Sequence, residues 1–541
     1  MLHRGHRSAP GLGPLARAGL PLGLALLCAC NSTSAPAPPA ASSSPAPPAS
    51  SPAASASTAA APPVGGGRWL VVTTPLFEES LAPLAKHRRA QGLTVTISTA
   101  KPAAAIAEPP RPDTILLVGD TQRGSEAEPW HVATQWRKLY RWRSAQRHEF
   151  AADALWGDLD ADGSLDVPVG RIPVRDPQTL QRIVAKIIAY EGRAPSPADL
   201  RLPLWGGAAG YTPAADRMAT SVLLSTLQSH MPPWAEPWVL AAYPSTPLCG
   251  WPPAHDEDFA EALRRGGAVA AMIGHANTTF FHSMRFRGQS IDFSVADAEA
   301  AFATGDPAPP TVLLSCEAGN FTGEKACLAE TLLALPGGSV AAIAATTESH
   351  PLTNYHTSTS MLDALGQDHR HIGGLWLAAQ RQGLTARDFV MDRMLDDVEG
   401  SLEDPINTDK LRRDQPLMYA LLGDPATRLR TPAPLKASLR QQGSIWHWEA
   451  QPPPGATRLV VSFRPAGRDL PPAVELAPSK AGAARAGLKA ANATFAFEPR
   501  GELAAGKPWQ GTIDQPGTLR LVAVGGPRLF ATALKIEAPA P

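Results

Sequence analysis

The stretch Asp256–Ala276, DEDFAEALRRGGAVAAMIGHA, decides how this chain folds. Its first half has acidic residues where a first helical turn would be, basic residues in the last turn, and Gly266 and Gly267 directly after, the marks of a helix that begins and ends there. The second half is a short apolar run that reads as a buried strand and stops abruptly on Gly274-His275-Ala276. Helix, glycine and buried strand in succession make the unit of a parallel α/β sheet covered on both faces.

The unit recurs on either side. RWLVVTT (68–74) reads as a strand and 77–92 as a helix ended by Gly92; LTVTIST and DTILLVGD (113–120) read as further strands, and 177–190 and 216–230 as amphipathic helices. Downstream come the strand of TVLLSC (311–316), a helix at 324–335, the turn Pro336-Gly337-Gly338 and the strand of SVAAIAATT (339–347). After about Pro432 the pattern changes to alternating runs broken by Gly and Pro, which predicts a small β-sandwich over 433–541.

The N-terminal 67 residues have another character. Arg4, Arg7 and Arg17 precede the apolar run 19–29, too short to span a bilayer but suited to a signal peptide over 1–30. The run ends Leu27-Cys28-Ala29-Cys30, similar to a bacterial lipobox with Cys30 as the lipidated residue; a plain signal peptide cut nearby is the alternative. Residues 31–67, almost entirely Ala, Pro, Ser, Thr and Gly, bury too little apolar area to order themselves and read as a disordered spacer. This predicts an exported protein of the bacterial cell envelope, touching the membrane only through a lipid anchor. With 49 basic and 49 acidic residues among 541, the chain carries no electrostatic footprint for nucleic acid.

Three cysteines remain in the body, Cys249, Cys316 and Cys327, too few for a disulfide scaffold. In open α/β sheets ligands bind beyond the carboxyl ends of the strands. His275 and Cys316 each stand just past such an end, and a thiol with an imidazole supplies nucleophile and proton donor for acyl transfer. The backbone N–H groups of Cys316 and Ala276 are candidates for holding an oxyanion. A lone cysteine or histidine at a strand end is commonly packing instead; only the pairing argues for chemistry. Cys327 reads as a core residue of its helix and Asp424 as a turn cap, while His282, His350 and His356 read as loop residues near the same edge.

Asp158-Leu159-Asp160-Ala161-Asp162-Gly163-Ser164-Leu165-Asp166 places carboxylates at alternate positions with glycine at the bend, like the first half of a calcium loop. Val169 stands where an EF-hand has its bidentate glutamate, so Asp158, Asp160, Asp162 and Asp166 would need a further ligand; an acidic turn without metal is the alternative. No cofactor is expected for chemistry, and Ca2+ only in a structural role.

Several segments, in order, resemble gingipain-type cysteine peptidases of the caspase-like clan: 68–97, TILLVGD, DLDADGSLDVPVGRIPV, IGHA, LLSCEAGNF with the following CLAETLLALPGGSVAAIAATT, and LLGDPATRLR (421–430). The resemblance covers about 68–432. It implies a caspase-like, mostly parallel α/β sheet with His275 and Cys316 as catalytic dyad, followed by an immunoglobulin-like sandwich. Three departures stand out, one being that the expected N-terminal region holds the spacer and no sizeable folded propeptide. The family's Gly-His-Gly is Gly274-His275-Ala276 here, and the region expected to hold acidic groups near the dyad, LWGGAAGYTPAADR (204–217), offers only Asp216, so no arginine or lysine preference is carried over. The expected function is a cysteine endopeptidase acting on protein or peptide substrates. A catalytically inactive peptidase fold used for surface binding or adhesion, and a cysteine transpeptidase, are the alternatives.

Overall fold

The computed structural model describes residues 67–140, 149–210, 213–400 and 407–537; the signal segment, Cys30 and nearly all of the spacer lie outside them. The first apolar runs form β1 (Arg68–Val72), β2 (Thr94–Ser98) and β3 (Thr114–Val118). A small antiparallel pair, β4 (Trp136–Lys138) and β5 (Glu149–Ala151), precedes β6 (Val169–Ile172), β7 (Arg201–Gly206), β8 (Glu236–Ala241) and β9 (Ala270–Ile273). The chain then builds a separate three-stranded sheet, β10 (His275–Ala276), β11 (Phe280–Phe286) and β12 (Gln289–Ser294). It returns as β13 (Thr311–Leu314), β14 (Ala342–Ala345) and β15 (Tyr419–Leu422). The large sheet has ten strands in the order β2-β1-β3-β6-β15-β14-β13-β9-β7-β8. The pairing of β14 with β15 is antiparallel, and the longer registers on either side are parallel, as the sequence pattern predicts.

Among the described residues, these strands are connected by the helices α1 (Glu78–Ala90), α2 (Pro102–Ala107), α3 (Pro177–Gly192), α4 (Pro213–His230), α5 (His255–Arg264), α6 (Val295–Phe302), α7 (Leu328–Ala334), α8 (Pro351–Leu365), α9 (Ile372–Thr385), α10 (Phe389–Gly400) and α11 (Thr408–Asp414). They cover both faces because strand residues alternate between two cores. Met272 and Leu313 belong to one core, shared with residues of α1, α3, α5, α6 and α7, whereas Val312, Leu314 and Ile343 belong to the other, shared with residues of α4, α8 and α9. The helix expected at 324–335 is shorter. Cys327 caps it, because the Glu330 carboxylate reaches back to the Cys327 N–H at 2.8 Å, and the chain before it is used in the loop that follows β13. Among the described residues no helix is long and apolar enough to cross a membrane.

Beyond Ala433 two further sheets, of five and three strands, share one apolar core that includes Trp448, Leu459, Phe463, Trp509 and Leu521. Inserted in this unit is α12 (Ala481–Ala493), in a stretch where the sequence pattern had suggested no element. It docks on the edge strand β8: Asn492 accepts the Val239 N–H at 2.6 Å and donates to the Val239 carbonyl at 2.9 Å.

A buried ionic cluster fastens the opposite half. Arg88 of α1 meets Asp424, after β15, at 2.7 Å and Glu191 of α3 at 2.8 Å. Asp424 also accepts the Trp69 indole N–H at 3.0 Å and the Ala426 N–H at 2.9 Å, so it is indeed a turn cap and in addition a counter-ion. Burial alone would raise the pKa of Glu191, but bonding to His87, the charge of Arg88 and the Arg428 N–H outweigh it and hold the group down at about 2, against an ordinary 4.5. A depressed carboxylate stabilises the fold above its unfolded pKa, and that contribution disappears as pH falls through the folded one. Urea unfolding between pH 5 and pH 2 should show a loss of about 3 kcal/mol attributable to this group. Glu191→Gln, destabilised near neutrality, should flatten that part of the profile; an unchanged slope would remove Glu191 from the acid response.

Candidate active site

Residues Leu314 of β13 and Ile273 of β9 are register partners, and the ladder continues with Gly274 N–H donating to the Leu314 carbonyl at 3.2 Å. Cys316 and His275 each lie two residues further on. They leave neighbouring strands, spaced about 4.8 Å apart, at the same level, and both line one cavity. Space at this crossing is tight, since a Cβ on Gly274 would sit 3.2 Å from Gly207 Cα and 3.3 Å from the Phe281 ring.

The imidazole of His275 is oriented by the backbone. Its Nε2 lies 3.0 Å from the Ala209 carbonyl, which can only accept, so in the neutral ring Nε2 carries the proton and Nδ1 is the basic nitrogen. Asp216, the only acidic residue of 204–217, instead accepts the Gly210 N–H at 3.0 Å. The segment 204–217 thus offers His275 a backbone carbonyl, that of Ala209.

The Ala276 amide also has a defined direction. The turn closes with Asn277 N–H on the Phe280 carbonyl at 3.0 Å, so by antiparallel alternation Ala276 opposite Phe281 turns its N–H away from β11. Ala208, continuing β7, donates to Ser283 of β11 at 2.7 Å, which places β11 on the β7 side and the open edge of β10 toward β13 and Cys316. Ala276 is in extended backbone, a conformation alanine adopts without strain, so the missing family glycine costs no backbone strain here.

After Cys316 the chain bends sharply. Glu317 has φ +56°, and its N–H is held by the Thr347 carbonyl at 2.9 Å. A non-glycine residue in this region is uncommon and costs of order 1 kcal/mol, strain that concentrates at functional sites. Gly319 lets the loop close over β14, where a Cβ would meet Ala344 at 2.7 Å.

The thiol has partners the sequence reading missed. Ser349 points its N–H at Cys316 Sγ from 3.4 Å, with its hydroxyl at 3.8 Å. Asn354 of α8 donates to that hydroxyl at 3.0 Å and accepts from Tyr419 at 2.6 Å and from Gln415. Burial raises the pKa of the Tyr419 hydroxyl, so it remains a donor. The sulfur also lies 3.5 Å from the Ser349 carbonyl, to which the thiol can donate. Polar residues at 349, 354 and 419 carry no spacing signal because three separate elements bring them together.

The remaining histidines are placed differently from expectation. Only His350 is in a loop, and it is buried. His282 sits in β11 directly opposite His275, its ring bonded to Asp292 at 2.6 Å, and His356 lies in α8, bonded to Asp392 of α10 at 2.9 Å. Cys327 is fully buried, as read from the sequence.

In the aspartate loop, oxygens of Asp158, Asp160 and Asp166 lie within 4.8 Å of one another. Asp162 stays outside that group, its Oδ1 accepting the Ser164 N–H at 2.7 Å. Arg381 of α9 anchors the loop through the carbonyls of Leu165 and Asp166 at 2.6 and 2.9 Å.

Residues 64–430 match the family model described as Peptidase family C25. Among solved structures, one of a protease is 13% identical, covers 87% of this chain and 97% of its own, and has a TM-score of 0.51. The Arg-specific cysteine proteinase gingipain R is 16% identical over 87% of this chain and 98% of its own, with a TM-score of 0.49. The complex of the RgpB pro- and mature domains from Porphyromonas gingivalis is also 16% identical, over 87% and 100%, with a TM-score of 0.49. No curated protein sequence gives a significant match.

Of the three thiols in the body, Cys249 and Cys327 are buried, and burial pushes Cys249 up to about 12 and Cys327 well above its usual range. Brief iodoacetamide treatment of the folded protein should therefore modify Cys316 before either of them. Peptide mapping by mass spectrometry checks this, and equal labelling of Cys249 or Cys327 would contradict the placement.

Proposed function

The chain belongs to peptidase family C25, and from that membership we propose that it is an exported cysteine endopeptidase in which Cys316 and His275 carry the chemistry. The observation that carries the reading is the shared level of the two residues on neighbouring strands. The Cys316 thiolate attacks the scissile carbonyl carbon, forming the S–C bond. The carbonyl electrons move to oxygen, where the N–H groups of Ala276 and Cys316 are the proposed donors. As the C–N bond breaks, the proton on His275 Nδ1 passes to the leaving amine. Water then adds to the thioester, giving a proton back to Nδ1, and the thiolate departs. Ser349 supports the thiolate, and the Ala209 carbonyl holds the tautomer through both halves.

Substrates on this reading are proteins or peptides. The amino-terminal segment, with lipidation at Cys30, would tether the domain to the envelope by way of the spacer. A binding or adhesion role for an inactive fold is disfavoured by the partial exposure of Cys316 and by the strain kept at Glu317. Cys316→Ala and His275→Ala should each reduce hydrolysis of a casein-derived peptide mixture by more than about 1,000-fold while leaving the thermal transition in place. Wild-type rates in the Cys316 variant would refute the assignment; amide transfer to added amines without hydrolysis would select the transpeptidase instead.

We also propose that Asp158, Asp160 and Asp166 hold a structural Ca2+, with the remaining ligands from backbone carbonyls or water. Excess Ca2+ should raise the melting temperature by several degrees over EGTA. Asp160→Asn should shrink that increment, and identical melting in both buffers would leave the loop a plain acidic turn.

A further inference from the structure

We infer, building on the peptidase reading above, that the residue preceding the scissile bond carries a large apolar side chain, received by the cavity beneath Cys316 and His275. The cavity has a volume of about 270 Å³ and lies between the second face of the sheet and helices α4, α8 and α10. Its floor is made by Leu314 and Val312, two and four residues before Cys316, and by Ile273 and Ala271, two and four residues before His275. Same-face residues on a strand are about 6.6 Å apart, so the floor begins under the reactive groups and continues for about 13 Å.

The two faces of β9 differ in a way that marks the cavity. Ala270 and Met272, on the first face, are 0% exposed, whereas Ala271 and Ile273 remain partly exposed in the interior of a mostly parallel sheet, where both faces are ordinarily covered. Opposite them stand Leu223 of α4, Met361 of α8 and Met394 of α10. Methionine adapts to differently shaped apolar partners, which suits a pocket for a class of side chains more than for one.

Among the described residues lining it there is no Asp, Glu, Lys or Arg. A guanidinium, ammonium or carboxylate entering would lose its hydration with no counter-charge in return. An apolar side chain would only exchange water for apolar wall. A peptide whose carbonyl carbon lies at Cys316 Sγ brings the side chain of that same residue over Leu314 and Ile273, so the cavity falls to the position before the cut. The depth exceeds the reach of alanine or valine, which favours leucine, methionine and the aromatic residues.

The test uses one peptide scaffold in which only the residue before the cut varies among Ala, Leu, Met, Phe, Arg and Asp. Values of kcat/KM for Leu, Met or Phe at least ~30-fold above Ala, Arg and Asp are expected. Ala271→Leu, with its thermal transition verified, should lower the Phe-to-Ala ratio by about tenfold or more by filling the floor. Cleavage that favours Arg, or is indifferent to the varied residue, overturns the pocket assignment and leaves the peptidase reading intact. If no peptide is cut, the peptidase reading fails, and the pocket is judged by calorimetric binding of Phe-ending and Arg-ending product peptides to the Cys316→Ala protein. Tighter binding of the Phe-ending peptide sustains the apolar pocket; equal or absent binding overturns it.

Discussion

Register between β9 and β13 is the constraint on which the rest of this molecule depends. Pairing Ile273 with Leu314 brings two chain segments separated by some forty residues to the same height at the carboxyl edge of the sheet. A slip of one residue would reverse the face of every side chain on one strand and separate the imidazole from the thiol. Register is strongly specified because both strands are sandwiched between two cores, with Met272 and Leu313 committed to one and Val312 and Leu314 to the other. The packing of apolar residues far below the edge thus sets the position of the polar groups above it.

The arrangement at the edge relies heavily on main chain. The Ala209 carbonyl orients His275, the Ser349 amide faces the sulfur, and the directed N–H of Ala276 lies on the open side of its strand. Backbone groups are present whatever the residue, and Ala276 offers its N–H from extended backbone as glycine would. Asp216, the one acidic residue of 204–217, is turned back onto Gly210.

That same reliance explains what could be read in the sequence. The sheet, its helices and the place of His275 and Cys316 at its edge were legible because short apolar runs ending in glycine, histidine or cysteine are patterns of residue type. The Ala209 acceptor was not, because a carbonyl has no letter. Ser349, Asn354 and Tyr419 were missed since their convergence is made by the antiparallel return of β15 against β14, a tertiary fact. His282 and His356 were read as loop residues, yet one is in a strand, beside Phe281 and Met284, and the other in a helix, where carboxylates hold their rings. The helix at 481–493 interrupts a run of strands and owes its place to the surface it covers.

That covering helix has a wider meaning. A sheet edge is a template, and β8 would offer a row of amides and carbonyls to any extended chain. An enzyme that handles extended peptides is especially exposed to this, since its own substrates and products are the strands that could add there. Asn492, with one side-chain amide, imitates a neighbouring strand at Val239 and then ends the ladder, because a helix cannot pass the pattern on. The C-terminal unit therefore acts as an end-stop for the large sheet at its β8 edge.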